Sequence, residues 1–560
     1  VSTFRTFIDT FGAGAAEAPQ REALVLLSEG DQVETVSYGR LHALVSLLAG
    51  RIVAHTAPGD RVIILQSSRR LFTASFLACL YAGRVAVPVP PTGGRAHHDA
   101  RLAGIVKDAA ASCVLTAGAH AAEASQLLAR TGFTQVTCLL ADTAPGPADA
   151  PHTPPRPVGP DEVAYLQYTS GSTREPRGVM VTQRNLVANQ EAIRRALDTG
   201  PASRFGGWLP LHHDMGLVGQ LLHPLWLGTT TVLLTPQMFV KAPLRWLDAV
   251  SRHGLTVSGG PDFGYELCLR RINDLQLAGL DLTAWRTAVN GGEPVSPATA
   301  AAFADRFARA GLRPGALVPA YGLAEATLLV SAARPAHEGD RYTHCGEPAD
   351  AEVRIVDPDT RAECAPGESG EIWVRGPGVA AGYWRRTRES ADTFGARTAD
   401  GDTTGTGFLR TGDLGVLDTA GRLRITGRLK EVMVVAGRNV HPHDVERTAA
   451  QAGGLLGAAS VFAVTGGCEH VVLVQEVRAR SQYDVDLDAL ATAVRARVAE
   501  EHDVRLGALL FVPSGTVRRT TSGKVERAAM RRMFLNGEFR PLHRQLDADV
   551  ARLLPAGART

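Results

Sequence analysis

The chain has 560 residues, more than a single hydrophobic core organises, so two or more domains are expected. It is 45% apolar and 21% charged, and 59 basic residues against 57 acidic ones leave a formal net charge of +2. That balance lacks the electrostatic footprint of a nucleic-acid binder or of a protein drawn to an anionic membrane. The seven cysteines are scattered, with no C-x-x-C pair and no metal-ligand spacing, which fits reduced thiols in a cytoplasmic protein. No apolar run reaches the length of a membrane span, and the N-terminal Val-Ser-Thr-Phe-Arg-Thr-Phe lacks the basic and apolar regions of a signal peptide.

In chain order, Leu41, Leu44, Val45 and Leu48 share one helical face and predict a helix over residues 38–54. Val62-Ile63-Ile64-Leu65 reads as a buried strand, Leu71 to Leu80 as a helix, and Val85 to Val89 as a strand that Pro90-Pro91 stops. Strands at Cys113–Leu115 and Val136–Leu140 continue an alternation that predicts parallel α/β layers. Residues 143–160, rich in Pro, Ala, Asp and Gly, read as an irregular connection. A second α/β run covers about 180–330. From about 350 to 427 strand-like pieces take over (Ala351–Val356, Gly370–Arg375, Gly421–Gly427), predicting a small β-barrel-like unit. Residues 430–540 mix strands at Ala459–Val464 and Val471–Val477 with a helix at Leu487–Glu501, enough for a separate domain. The tail, 541–560, reads as helix and then a frayed end.

The stretch from Tyr165 to Gly178, Tyr-Leu-Gln-Tyr-Thr-Ser-Gly-Ser-Thr-Arg-Glu-Pro-Arg-Gly, predicts a hydroxyl-rich loop between two strands. Thr169, Ser170, Ser172 and Thr173 surround Gly171. Backbone N–H groups and hydroxyls this dense suit a polyphosphate, though the loop alone fits a solvated turn equally well. It is not a Walker A loop, because no G-x-x-x-x-G-K-[ST] occurs.

Seven stretches in order resemble the adenylate-forming superfamily, which includes acyl-CoA synthetases and peptide-synthetase adenylation domains. Thr169–Gly178 resembles its phosphate loop, and Leu209-Pro-Leu-His-His-Asp-Met-Gly216 the next core motif. Gly291-Gly-Glu-Pro294 and Tyr321-Gly-Leu-Ala-Glu-Ala-Thr327 resemble the adenine and magnesium elements. Arg410-Thr-Gly-Asp413 resembles the ribose motif, Gly427-Arg-Leu-Lys-Glu431 the interdomain hinge, and Thr521-Ser-Gly-Lys524 the catalytic-lysine loop. The wording is closest to the fatty acyl-AMP ligase branch, notably at Tyr321–Thr327, Pro210–Leu217, Ser258-Gly-Gly-Pro261, Gly437-Arg-Asn-Val-His-Pro442 and Arg519–Lys524. The resemblance implies a large N-terminal adenylation domain over residues 1–427 and a mobile α+β domain over 428–540. It implies ATP and Mg2+, a fatty or modified carboxylic acid as substrate, and an acyl carrier protein as acceptor. Free CoA is the alternative acceptor, and a non-catalytic homologue the reading outside enzymes.

The same resemblance implies the site residues. Attack of a carboxylate on the α-phosphate of ATP brings two anions together, so positive charge must be supplied. Glu325 is expected to hold magnesium, and Lys524 to bridge carboxylate and α-phosphate. Thr169, Ser170, Gly171, Ser172, Thr173 and Gly178 are expected around the phosphates. Tyr321, Gly322, Gly292, Glu293 and Pro294 are expected at adenine, and Asp413 and Arg428 at ribose or phosphate. His213 is expected by the acyl carboxylate; Gly260, Pro261 and Phe263 line the acyl pocket. His212, His213 and Asp214 do not read as a metal site, because adjacent side chains diverge. Trp208, Trp226 and Trp246 read as core. Lys430 takes the hinge position and Gly437 the thiol side. Two departures stand out: Arg174 and Arg177 occupy positions where the family usually has Gly and Lys, and only about a dozen residues separate Ser331 from His344, where the branch carries an extra segment.

Overall fold

The computed structural model describes residues 4–30, 32–91, 96–130, 132–133, 135–143, 154–169, 176–333, 344–401, 406–435, 438–465, 469–478, 486–520 and 524–558. Packing divides the chain into two compact units, Val1–Thr411 with Val416–Ile425, and Gly412–Gly415 with Thr426–Thr560.

The first unit carries two large sheets. In the six-stranded one the order is Thr137–Leu140, Cys113–Thr116, Arg61–Ile64, Val85–Pro88, Val163–Tyr168 and Gly178–Thr182. All its pairs are parallel except the last, which is antiparallel. Short apolar runs such as Val62-Ile63-Ile64 and Cys113–Thr116 suit this sheet because helices cover both faces, so every side chain along the strand is buried. The nine-stranded sheet has a parallel centre, including Phe205–Gly207, Val257–Gly260, Thr287–Gly291 and Leu317–Gly322, and antiparallel strands at both edges. Edge-to-face contacts among Trp246, Tyr265, Trp285 and Phe303 fill its helical side, with centroids 5.0–6.3 Å apart. Each of these rings is fully buried, stabilising the fold by roughly 1.5–3 kcal/mol apiece.

The predicted helices form as Tyr38–His55 and Arg69–Tyr81, with Ser37 and Ser68 accepting from backbone N–H groups of their first turns. Of the face predicted on the first of these, Leu41, Val45 and Leu48 are buried. Glu352–Val356 and Gly370–Arg375 pair antiparallel in the small β region, whose four-stranded order continues through Leu409–Leu417 and Leu423–Arg428.

The second unit is built on a sheet in the order Leu456–Thr465, Glu469–Val477, Leu506–Pro513, His543–Leu546. Alternate residues face opposite cores: Val471 and Leu473 pack with Val445 and Val494, while Val472 and Val474 pack with Met530 and Phe534. The tail departs from expectation, because His543–Leu546 is an antiparallel edge strand before the short helix Ala548–Arg552. Its sequence, His-Arg-Gln-Leu, has no apolar alternation to announce a strand, and pairing with Leu506–Pro513 decides it.

Arg527 ties this unit together. Its guanidinium grips both Glu446 oxygens, at 2.9 and 2.6 Å, and reaches Glu431 at 2.5 Å. Burial pushes the Glu446 carboxyl up from its ordinary value while Arg527 draws it down. Arg527→Met strands a buried carboxylate and should cost about 3–5 kcal/mol, read as a lowered urea midpoint, with Glu446→Leu in the same chain restoring part of the loss.

Candidate functional site

The hydroxyl-rich loop leaves the strand Val163–Tyr168 and re-enters at Gly178–Thr182. Its core, Ser170, Gly171, Ser172, Thr173 and Arg174, lies outside the described residues. Its two ends are placed and meet: Thr169 N–H donates to the Arg177 carbonyl at 3.3 Å. Gly178 is where the chain can pass under Tyr168, since a Cβ there would lie 3.0 Å from that ring.

The returning strand Gly178–Thr182 is flanked by a segment far along the chain. Met180 N–H donates to Gly382, Ala381 N–H to Met180 and Trp384 N–H to Gly178, at 2.8–2.9 Å. This puts Tyr383 beside Val179. The Tyr383 hydroxyl donates to Glu325 Oε1 at 2.9 Å, and the Arg177 guanidinium lies 5.8 Å from the Tyr383 ring centroid. Arg177 also pairs with Glu389 at 2.8 Å. Burial, and then the Glu325 carboxylate, push the Tyr383 hydroxyl above its ordinary range, so it stays protonated and a donor. One tyrosine therefore links the loop's basic residue to the carboxylate expected to hold magnesium. Nothing in the local sequence around Gly382-Tyr383 marks this role.

Glu325 sits in a short helical turn, Ala324–Ala326. The turn ends at Thr327, with φ +68° and ψ −58°, where Leu328 N–H donates back to the Ala326 carbonyl at 2.8 Å. This is a γ-turn with positive φ, rare for a residue carrying a Cβ. Glu325 is partly exposed beside the phosphate-loop exit. Among the described residues no three His, Cys, Asp or Glu side chains converge as a metal cage. A lone carboxylate fits Mg2+, which keeps phosphate and water oxygens in most of its octahedron.

Pro210 leads into His212, His213 and Asp214, and a π-helical stretch follows over Met215–Leu222. His213 Nδ1 lies 2.6 Å from Asp214 Oδ1, and Asp214 Oδ1 also accepts from Met215 N–H at 2.7 Å. The His212 carbonyl accepts from Gln167, on the strand that leads to the phosphate loop. Gly216 allows the tight entry, because a Cβ would meet the Pro210 carbonyl at 2.2 Å.

The expected acyl and adenine segments are tied to one another. Glu293 Oε1 accepts from Phe263 N–H at 2.6 Å. Asp262 Oδ1 accepts from Asn290 at 2.8 Å and from Ser296 N–H at 3.1 Å. Gly292, at φ +82°, lets the chain turn between these contacts. Trp208 is buried, as expected of core, yet it abuts Gly260 and Gly264, each of whose added Cβ would fall 2.9 Å from its ring. It stacks on Phe239 at 3.8 Å and meets Phe263 edge-on at 5.6 Å. Tyr321 is buried opposite Ser331, in a cluster with Ala326, Val330 and Ile355. Gly322 admits the Leu328 carbonyl where a Cβ would clash.

Asp413 is buried and pairs with Arg428 at 2.9 Å, so the two residues expected at the ribose face each other. Lys430 is exposed in the Leu429–Glu431 turn. Lys524 is hydrogen-bonded to Thr520, its carbonyl accepting from Thr520 N–H at 2.8 Å and its own N–H donating to the Thr520 hydroxyl at 3.1 Å. Thr521–Gly523 and Gly437 lie outside the described residues.

The sequence matches a family model described as AMP-binding enzyme over residues 11–384. It is 37% identical to the medium-chain fatty acid–acyl-carrier-protein ligase JamA of Moorena producens, over 95% of this chain and 96% of that one. It is 34% identical to a 4-hydroxyphenylalkanoate adenylyltransferase of Mycobacterium tuberculosis, over 95% and 92% of the two chains. A crystal structure of a fatty acyl-adenylate ligase from L. pneumophila, in complex with acyl adenylate and pyrophosphate, superposes with a TM-score of 0.72 at 29% identity, covering 97% and 98% of the two chains.

Burial raises the Asp262 carboxyl from its ordinary 3.8 to about 6, against the pull of Asn290 and the Ser296 N–H. The folded chain then holds a proton between those values that the unfolded chain has released. The contribution to stability is greatest below pH 3.8 and falls as pH rises to about 6, by about 3 kcal/mol in all. Asp262→Asn should flatten this part of the pH profile of urea unfolding, with the variant gaining relative to wild type as pH rises through that window.

Proposed function

The chain belongs to the AMP-binding enzyme family, within its fatty acyl-AMP ligase branch, and on that premise we propose how its residues share the chemistry. It is an ATP-using ligase that activates a carboxylic acid as acyl-AMP and releases pyrophosphate. The observation that carries the assignment of residues is the Glu325–Tyr383–Arg177 arrangement, which joins a metal-binding type of carboxylate to a phosphate-loop cation through one side chain.

In this reading the hydroxyls and N–H groups of Thr169–Thr173, with Gly178, receive the ATP phosphates, and Arg177 supplies a fixed forked cation at the loop's exit. Glu325 holds Mg2+, which supplies charge neutralisation on the phosphate oxygens. Tyr383 donates to the Glu325 carboxylate and keeps one of its oxygens oriented. Tyr321 and Gly322 take one side of adenine, and Gly292, Glu293 and Pro294 the other. Asp413 accepts from the ribose hydroxyls, and Arg428, already paired with it, steadies that carboxylate and can reach phosphate. His213, held by Asp214, borders the acid's carboxylate, with Gly260, Pro261 and Phe263 along the acyl chain. Lys524 brings a mobile ammonium to the reacting carboxylate and α-phosphate, where negative charge must be offset as the new bond forms. Lys430 is the hinge position.

The second half-reaction transfers the acyl group to the phosphopantetheine thiol of an acyl carrier protein. The names of relatives such as JamA support that acceptor. The short Ser331–His344 link favours free CoA as the competing acceptor, since it leaves less chain to restrict the small domain.

Carboxylate-dependent ATP–pyrophosphate exchange across a panel of fatty and aryl-alkanoic acids tests the first half-reaction. Lys524→Ala should slow that exchange by about 10²–10³-fold while leaving ATP affinity little changed, and near wild-type exchange would remove Lys524 from the mechanism. For the acceptor, ATP and the best acid are incubated with a phosphopantetheinylated carrier protein or with CoA, and products are weighed by mass spectrometry. Acyl-carrier should form in excess; acyl-CoA forming as fast would transfer the assignment to the CoA ligases.

A further inference from the structure

Helix Gln183–Ala196 starts directly after the strand that leaves the phosphate loop. Thr182 caps it in a reciprocal box with Asn185. Asn185 and Asn189, one turn apart, point from the same face and are buried, with Asn189 only 2% exposed. Neither amide serves the helix backbone beyond the cap. Asn185 Nδ2 donates to the carbonyls of Pro377 and Val379 at 2.9 and 2.7 Å. Asn189 Nδ2 donates to the carbonyls of Leu329 at 3.0 Å and Ala326 at 3.3 Å, and its Oδ1 accepts from Leu329 N–H at 3.2 Å.

These bonds fall on the two sides of one turn. Ala326 and Leu329 bracket Thr327, whose left-handed backbone holds the end of the Glu325 turn. The segment held by Asn185 supplies two further supports of the turn: Ala380 N–H donates to the Glu325 carbonyl at 2.9 Å, and the Thr327 hydroxyl donates to the Gly378 carbonyl at 2.7 Å. Gly378 packs against the clamp itself, for a Cβ there would lie 3.1 Å from Asn189 Nδ2. A γ-turn at a residue with a Cβ is strained and persists only where its surroundings impose it. A buried amide with both polar atoms engaged on either side of that turn is such an imposition.

We infer that Asn189 is a positioning residue for the metal-binding carboxylate: it fixes the strained turn that presents Glu325, and so sets the affinity of the site for a divalent cation bound with nucleotide. The inference rests on the reading of Glu325 as the Mg2+ ligand. It assigns no contact between Asn189 and the cation or the substrate. Removing the clamp relaxes Thr327 toward ordinary backbone, turns the Glu325 carboxylate away from the Tyr383 hydroxyl and weakens the cation, in the way that groups supporting a metal ligand commonly change affinity by about 10–100-fold.

The test measures Mn2+ binding to the full chain in the presence of α,β-methylene-ATP by electron paramagnetic resonance, a readout independent of turnover. Asn189→Ala and Asn189→Ser, each checked for wild-type urea unfolding cooperativity, should weaken Mn2+ by about tenfold. The serine keeps a polar group but cannot span the turn, which guards against a loss caused by a bare cavity. Exchange activity in both should recover at high Mg2+, a change in cation requirement more than in saturated rate. Added to Glu325→Gln, either substitution should produce no further loss, because Asn189 acts through that carboxylate. Unchanged Mn2+ affinity in both variants, or a loss that adds fully to that of Glu325→Gln, overturns the proposal and leaves the Glu325 assignment standing. Wild-type Mn2+ affinity in Glu325→Gln alone overturns the Glu325 assignment and the proposal with it.

Discussion

The site depends on a backbone conformation that its own sequence resists. Thr327 is buried with φ +68°, in a region that a side chain with a Cβ rarely enters. The hydrogen bonds that hold it there come from elements 50 to 140 residues away in sequence: Gly378 at 51, and Asn189 at 137 and 140 from its two ends. The Glu325 turn is thus the product of tertiary structure. Its local preference would be something else, and the cost of holding it is spread over a helix, a loop and a strand paired on both sides. Buried amides suit that task because they offer a donor and an acceptor without a charge to desolvate.

Much of the architecture was legible because it rests on local pattern. The helix over residues 38–54 and the strands at Val62–Leu65 and Cys113–Leu115 follow from periodicity and from runs that only a two-sided burial can satisfy. The motif-bearing loops were legible in order, which is why Glu325, Asp413 and Lys524 could be named from sequence. What was not legible is what holds them. Tyr383 lies 58 residues from Glu325, and Asp262 lies 28 from Asn290 and 34 from Ser296. An Asn on the buried face of a helix reads as an interruption of the apolar stripe until its partners across the fold are seen. The His543–Leu546 strand escaped for a related reason, since its identity comes from a neighbour and not from its own composition.

The same logic joins the two segments proposed for acyl and adenine binding. Gly260 and Pro261 lead into a helix whose first turn holds Asp262 and Phe263, while the strand end at Asn290 and the segment after it, to Ser296, carry Gly292 and Glu293. Glu293 caps the Phe263 N–H, and Asp262 gathers donors from the opposite loop, so each segment uses a carboxylate of the other or lends one to it. Two hydrogen-bonded carboxylates thus tie the Asp262–Phe263 turn to the Asn290–Ser296 segment, with the stacked Trp208 and Phe239 packed against Gly260 and Gly264.

The division of the chain within the Leu409–Leu417 strand has a consequence for anyone recombining such enzymes. Gly412–Gly415 belongs by packing with Thr426–Thr560, although ten residues of the larger unit, Val416–Ile425, lie between them in sequence. A chimera made with a single junction after Ile425 takes Asp413 from one parent and Arg428 from the other, and asks the ion pair between a buried carboxylate and an exposed guanidinium to form between residues selected in different backgrounds. Exchanging the small unit as an intact module calls for two junctions, one on each side of Gly412–Gly415, in addition to the one before Thr426. Grafts that honour that discontinuity inherit the pair whole.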